Sequence, residues 1–255
     1  MRAFAAGMRL QVRMIRADPD YLMPLATIPL FAIAFLAIVR EAGRDDLTAY
    51  ALLAPVLIAL WSLSLLVSGE IVETDRWAGT LEPAVASPSS FPVVVLGRVA
   101  GVTAVSLLAF AEVWLVARLL FATSFELHHP LVFAATLAAT VAATAATALL
   151  MAALFVLARS ARTFQNSLSY PFYVLGGVIV PVAFLPDWLE PLSRAVFLSW
   201  SADLLRDSLT PGPVENAAKR LAAVLLLGGV GFLAGRLALE RILRRVRAAG
   251  ALGEV

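Results

Sequence analysis

The sequence predicts an all-α, polytopic membrane protein with six transmembrane helices, and three observations carry that prediction. Hydrophobic residues make up 61% of its 255 residues and charged residues 15%, against about 45–50% and about 25% in soluble domains. Six apolar stretches are long enough to cross a bilayer, whose core takes about 20 helical residues. The basic residues also divide unequally between alternate loops, as they do in membrane proteins of defined orientation.

The chain opens on Met1–Ala17, a segment with a pattern of its own. At 100° per residue Arg2, Arg9, Arg13 and Arg16 fall in one narrow sector, while Phe4, Met8, Leu10, Met14 and Ile15 lie around the other side. Asp18-Pro19 then ends the helix. The pattern reads as an amphipathic helix in the cytoplasmic interface, arginines toward lipid phosphates. The competing reading is a disordered basic tail.

The first span is Tyr21–Val39. It is longer than the core of a signal peptide, lacks a small-x-small cleavage site, and runs into Arg40, Glu41 and Arg44, so it is expected to stay in the membrane. Leu47–Gly69, Val93–Phe121 and Leu131–Leu157 follow, the last two longer than a bilayer requires. The fifth span, Leu168–Phe184, is short and holds Pro171, Gly176, Gly177 and Pro181, which predicts a broken or kinked helix. Leu221–Leu239 is the sixth. Two connections are substantial, Glu70–Pro92 and Leu185–Arg220.

Six spans put both termini on one side. Thirteen arginines belong to that side: Arg2, Arg9, Arg13, Arg16, Arg76, Arg98, Arg159, Arg162, Arg236, Arg241, Arg244, Arg245 and Arg247. Seven basic residues belong to the other: Arg40, Arg44, Arg118, Arg194, Arg206, Lys219 and Arg220. Both termini are therefore expected in the cytoplasm, with Leu185–Lys219 outside.

Small residues mark two spans as packing surfaces. Thr136, Thr140 and Thr144 recur every four residues among alanines, and Gly231 and Gly235 follow Gly228 and Gly229 in the sixth span. Such faces let helices approach closely, within one chain or between two copies.

The chain has no catalytic signature. There is no cysteine, and the only lysine, Lys219, follows Ala218, so no GxxxxGK[ST] phosphate loop exists. HExxH, GxSxG and GxGxxG are missing as well. His128 and His129 are adjacent in a short outer loop with no acidic cluster beside them, which points to surface rather than metal. No catalytic, cofactor-binding or metal-binding residue is expected, and no nucleic-acid partner. Glu112 is the one acid deep in a span, where a charge costs about 2.5–3.5 kcal/mol on the insertion scale. It should face protein or a water-filled cavity. Two roles compete: an interhelical contact that fixes packing, which is favoured, and a proton or substrate contact on a transport path. Arg98 and Arg118 sit near the ends of that span and are expected to snorkel. Glu240 has Arg236 and Arg244 four residues to either side, a helical ion-pair arrangement.

Two motifs carry a family resemblance. The segment Glu70 to Pro88 holds Glu73, Asp75-Arg76-Trp77-Ala78 and Gly79-Thr80-Leu81-Glu82-Pro83. It resembles the stretch after the second span of ABC-2 type exporter permeases, in which an acidic–basic run leads into Gly-Thr-Leu-Glu and a proline follows. Trp77 and Ala78 replace charged residues usual there, and Pro83 is a departure. Phe184 to Leu192 and Leu198 to Arg206 are similar to the external segment between the last two spans of the same family, with Phe197 where a proline is common and Trp200 where a tyrosine is common.

The resemblance covers about Met1 to Leu239 and implies one transmembrane permease domain over 1–255 in the inner or plasma membrane of a bacterium. It implies separate ATP-binding-cassette ATPase subunits, which bind the ATP. It also implies a second permease, identical or homologous, and surrounding membrane lipid. It implies a coupling role for Glu73, Asp75, Arg76, Gly79, Thr80, Leu81 and Glu82 on the loop 70–92. The outer segment would form short helices dipping into the outer leaflet, Trp188, Leu189 and Leu192 on one side, Asp187, Glu190 and Arg194 on the other. The expected function is export of an amphipathic or drug-like substrate, as in multidrug or antibiotic efflux. Export of a lipid-linked polysaccharide or lipid is the near alternative, and a stand-alone ion-coupled carrier the alternative of a different class.

Overall fold

The computed structural model describes residues 2–18, 22–77, 79, 91–123, 126–157 and 161–249. Among these the regular structure is all helical. The α-helices are α1 (Arg2–Ala17), α2 (Met23–Ala26), α3 (Ile28–Glu41), α4 (Thr48–Trp77), α5 (Phe91–Val105), α6 (Leu108–Leu120), α7 (Pro130–Leu157), α8 (Ala161–Leu175), α9 (Glu190–Arg194), α10 (Phe197–Asp207) and α11 (Ala217–Ala249). Single 3₁₀ turns occupy Asp45–Leu47 and Val182–Phe184.

Helix α4 is the axis of the molecule. Its apolar stretch is almost wholly buried, whereas α3 and α11 expose most of their length. A bilayer explains the difference: exposed apolar side chains such as Leu30 and Ile38 on α3, and Leu226, Val230 and Leu233 on α11, need lipid rather than water around them. Around α4 pack α3, α5, α6, α7, α8 and α10. Trp61 stacks on Phe172 of α8 with ring centroids 4.3 Å apart. Ser64 and Thr103 join α4 to α5 by a buried hydroxyl–hydroxyl bond of 2.7 Å, the polar contact available to helices that gain little from hydrophobic association in lipid.

The small-residue faces meet each other. An added Cβ at Gly228 would lie 2.7 Å from the Ala143 Cβ, at Gly231 3.0 Å from the Thr147 hydroxyl, and at Gly235 2.5 Å from the Leu150 nitrogen. These partners rise together in sequence, so α7 and α11 run parallel and interlock backbone to backbone. Gly228, Gly231 and Gly235 thus serve packing within the chain, while Gly229 faces open space.

The structure refines the course of the spans. The stretch 93–121 is two helices: at Ser106 and Leu107 the bonding tightens to i−3, as in Ala109 N–H to the Ser106 carbonyl at 3.1 Å, and the Ser106 hydroxyl donates to the Thr103 carbonyl. A serine that bonds back to the preceding turn bends a helix. The second and sixth spans run on past Gly69 and Leu239 to Trp77 and Ala249, so the segment 70–92 begins as helix.

The fifth span is broken, as its prolines and glycines predict. Among the described residues five helical stretches are long and apolar enough to cross a membrane, and 168–184 is not one of them. Its helix, α8, starts earlier, at Ala161, and ends at Leu175; Gly177 then takes a left-handed φ of +62°. Two glycines before Pro181 cannot sustain a helix. The segment still reaches the end of the bundle where α4 and α11 begin. The Leu175 carbonyl accepts from Ser193 Oγ at 2.6 Å and the Val178 carbonyl from Arg206 at 3.0 Å.

That end of the bundle is capped by α9 and α10. Helix α10 is built into the bundle: Phe197, Leu198, Ala202, Leu204, Leu205 and Arg206 are buried, and it packs on α4, α7 and α11. On its approach Trp188 and Leu192 of the expected apolar face are exposed, as is Phe184, while Leu189 is half-buried.

Candidate functional site

The residues singled out from sequence lie where α4 hands over to α5. Because α4 continues to Trp77, Glu73, Asp75 and Arg76 are positions in its last turns rather than in a loop. Gly79 takes φ +65°, the left-handed conformation that closes helices and that glycine adopts without a Cβ penalty. The chain therefore leaves the axis of α4 at a point only a glycine suits. Thr80, Leu81 and Glu82 lie outside the described residues, as does Pro88. Helix α5 starts at Phe91, which is buried with Pro92.

Directly beyond that start, α1 crosses α5. The two backbones touch. A Cβ at Gly7 would overlap the Val94 carbonyl oxygen, one at Gly97 would overlap the Phe4 carbonyl oxygen, and one at Gly101 would lie 3.2 Å from Met8 Cγ. Across this crossing Arg98, only 2% exposed, donates from Nε to Gln11 Oε1 at 3.1 Å and approaches Met14 Sδ at 3.4 Å. Gln11 is itself fully buried, and its Nε2 has no hydrogen-bond partner among the described residues. Arg98 does not snorkel, because α1 covers the face through which it would have reached the interface.

Sequence reading missed this contact. Gly97 and Gly101 form a small-xxx-small pair that is visible in the sequence, but its partner, a helix with the pattern of an interfacial element, gave no sign of being a bundle contact. The buried stripe of α1 is Gly7, Gln11 and Ile15, so the side opposite its arginines is packed against protein, while Met8 and Leu10 remain partly exposed.

Glu112 lies on α6, one to two turns after the break at Ser106–Leu107. It is half-buried, and its Oε2 is enclosed without a hydrogen-bond partner among the described residues. The structure brings no described ion-pair partner to this carboxylate.

The opposite, capped end holds the other polar cluster. The Arg206 guanidinium lies 3.8 Å from the centroid of the Tyr50 ring and 4.0 Å from an Asp203 oxygen. Burial lowers its pKa to about 10, which leaves it charged at neutral pH. Asp203 is bonded by Arg194 at 2.7 Å and Asp207 by Arg220 at 2.6 Å. His128 and His129 bond the carbonyls of Leu209 and Gly212 at 2.9 and 2.8 Å. These histidines tether two connections to each other, and no metal-like cluster of His, Cys, Asp or Glu occurs among the described residues. Arg236 and Glu240 form the expected helical pair at 2.8 Å.

A family model for ABC-2 type transporters matches residues 3–210. The match begins in α1 and ends just after α10, so it includes both the crossing at Arg98 and the capped end. No curated protein matches the chain.

Proposed function

Because the chain belongs to the ABC-2 type transporter family and is a permease subunit of an ABC transporter, we propose that it exports an amphipathic or drug-like substrate from a bacterial cell. ATP is hydrolysed by separate subunits, consistent with a sequence in which no lysine follows a glycine-rich turn. The chain works beside a second permease, and both its termini lie in the cytoplasm. The fifth crossing is then made by α8 and the non-helical stretch after it, which is tolerated at membrane depth where protein covers the freed backbone.

The observation that carries the reading is the family match over the handover from α4 to α5. Asp75–Glu82 is the docking element. Glu73, Asp75 and Arg76 ride on the end of the most buried helix of the bundle, so a push on them is delivered to α4 rather than dissipated in a loop. Gly79, with its left-handed φ, ends the run of α4 just before Thr80, Leu81 and Glu82 in the sequence.

The test is co-purification of the ATPase with wild-type permease and with Arg76→Glu and Glu82→Arg, beside transport in vesicles. Loss of one partner of an interfacial charge pair costs about 2–5 kcal/mol, so ATPase recovery should collapse while insertion is unchanged. Normal recovery and transport in both variants would move the docking site elsewhere. Transport by this chain alone without ATP would replace the exporter with a self-sufficient carrier.

A further inference from the structure

A short strap crosses the capped end of the bundle. His128 and His129 stand just before α7, and both reach the connection between α10 and α11. The His128 ring bonds the Leu209 carbonyl through Nδ1 at 2.9 Å, and the His129 ring bonds the Gly212 carbonyl through Nε2 at 2.8 Å. The His129 N–H donates to the Ser208 carbonyl at 3.0 Å. A carbonyl oxygen only accepts, so the bonded ring nitrogen carries the proton. Each neutral ring is thereby held in one tautomer, with a lone pair left on its other nitrogen.

The strap holds segments that have little else to hold them. Thr210, Pro211, Gly212 and Pro213 are exposed. The other hydrogen bonds described for residues 208–213 are local ones, back to Leu204, Leu205, Arg206 and Asp207. The chain leaves α6 through Ala122 at φ +52° and enters α11 through Asn216 at φ +50°. Left-handed backbone is uncommon in residues with a Cβ and persists where surrounding contacts enforce it. The two joined connections are thus bent at one end and tied at the other.

We propose that His128 and His129 form a pH-sensitive strap over the capped end, tightened by acid. A proton from water takes the free lone pair, at His128 Nε2 or His129 Nδ1. The ring keeps its bond to the carbonyl, and that bond becomes charge-assisted, roughly twice as strong as a neutral one. The strapped state therefore binds the proton more tightly than the released state. Acid shifts the balance toward the strap, and raising the pH through the imidazole range of about 5–8 loosens it. The charged groups that border the strap are Glu126, Asp207 and Glu215 on one side of the balance and Arg118, Arg206, Lys219 and Arg220 on the other. Asp207 is taken by Arg220 at 2.6 Å, and no described carboxylate pairs with either ring. Repulsion between the two charged rings does not undo the effect, because neighbours in sequence repel in the released state as well. The device needs neither the docking element nor a particular substrate.

Thr210→Cys, in a chain with no other cysteine, carries a nitroxide label. Its mobility is read on the full chain in nanodiscs from about pH 8 to about pH 4, a range that covers imidazoles and carboxylates. With both histidines present, acid should immobilise the label, the released population falling on the order of fivefold for each ring that charges. His128→Asn with His129→Gln places an amide N–H where each bonded ring nitrogen stood. This conservative pair should keep the strap and lose its pH dependence. His128→Ala with His129→Ala should leave the label mobile throughout. A flat curve with both histidines present, or a step confined to the carboxylate range, overturns the proposal. So does a step that survives in the conservative pair, which assigns it to Asp207 or Glu215, or a truncated pair as immobile as the parent. If the truncated pair fails to insert, the other two curves decide.

Discussion

Two arginines with nearly the same burial do opposite kinds of work at the two ends of the bundle. Arg98 is 2% exposed and Arg206 3%. Arg98 ties on an element from outside: α1 would not touch the bundle without the glycine crossing that Arg98 pins through Gln11. Arg206 knits together elements already inside, with Val178 after α8, Tyr50 on α4 and Asp203 on its own helix around one guanidinium. The contrast shows that a charge buried in a membrane protein is not of one kind. Its role depends on whether its partners would remain packed without it.

The largest expected effect comes from breaking the inner knot. Arg206→Ala removes a buried charged hydrogen bond and a desolvated ring contact, each worth about 2 kcal/mol, and leaves the Val178 carbonyl without its donor. A drop in thermal midpoint of the whole permease in detergent, with loss of order in α4, α8 and α10 together, is the expected result. Arg206→Lys should recover little, because a lysine cannot span the ring and the carbonyl at once.

Breaking the outer knot should be smaller and local. Gly97→Ala forces a methyl group onto the Phe4 carbonyl, and overpacking of this kind costs about 1–3 kcal/mol. Hydrogen exchange should rise along α1 while α4 and α7 keep their protection. If global stability falls as far as in Arg206→Ala, α1 belongs to the core and the comparison fails.

Arg98→Ala sharpens the same point with less steric disturbance. It loses a hydrogen bond to a charged donor, worth about 1.5–3 kcal/mol, but the glycine crossing survives. Limited proteolysis should find α1 accessible at a rate between those of wild type and Gly97→Ala.

The smallest effect is expected at Glu112→Gln. Its Oε2 has no described partner to lose, and an amide is cheaper than a carboxylate to keep among apolar helices. Insertion and thermal stability should stay within about 0.5 kcal/mol of wild type, as for substitutions away from any network, with transport largely retained. Abolished transport in a folded Glu112→Gln, with ATP hydrolysis continuing, would place this carboxylate on the path of the substrate.

By itself the sequence determined the class of the protein. Apolar stretches of membrane length can be satisfied only by helices, since lipid offers backbone groups no partner, so Pro130–Leu157 was legible almost to the residue. The family was legible in Asp75-Arg76 and Gly79-Thr80-Leu81-Glu82, because a short contiguous motif can be read without any tertiary contact. Tertiary structure alone decided the rest. Hydropathy counts apolar residues without registering where a helix stops, so the break at Ser106, the end of α8 at Leu175 and the burial of α10 were hidden from it. The buried roles of Arg98 and Arg206 were hidden for a related reason. Near the end of a span, as at Arg98, or in an external segment, as at Arg206, an arginine reads as one that reaches water, and only the helix lying across it, α1 over Arg98 or α4 beside Arg206, closes that route and turns a surface charge into a structural one.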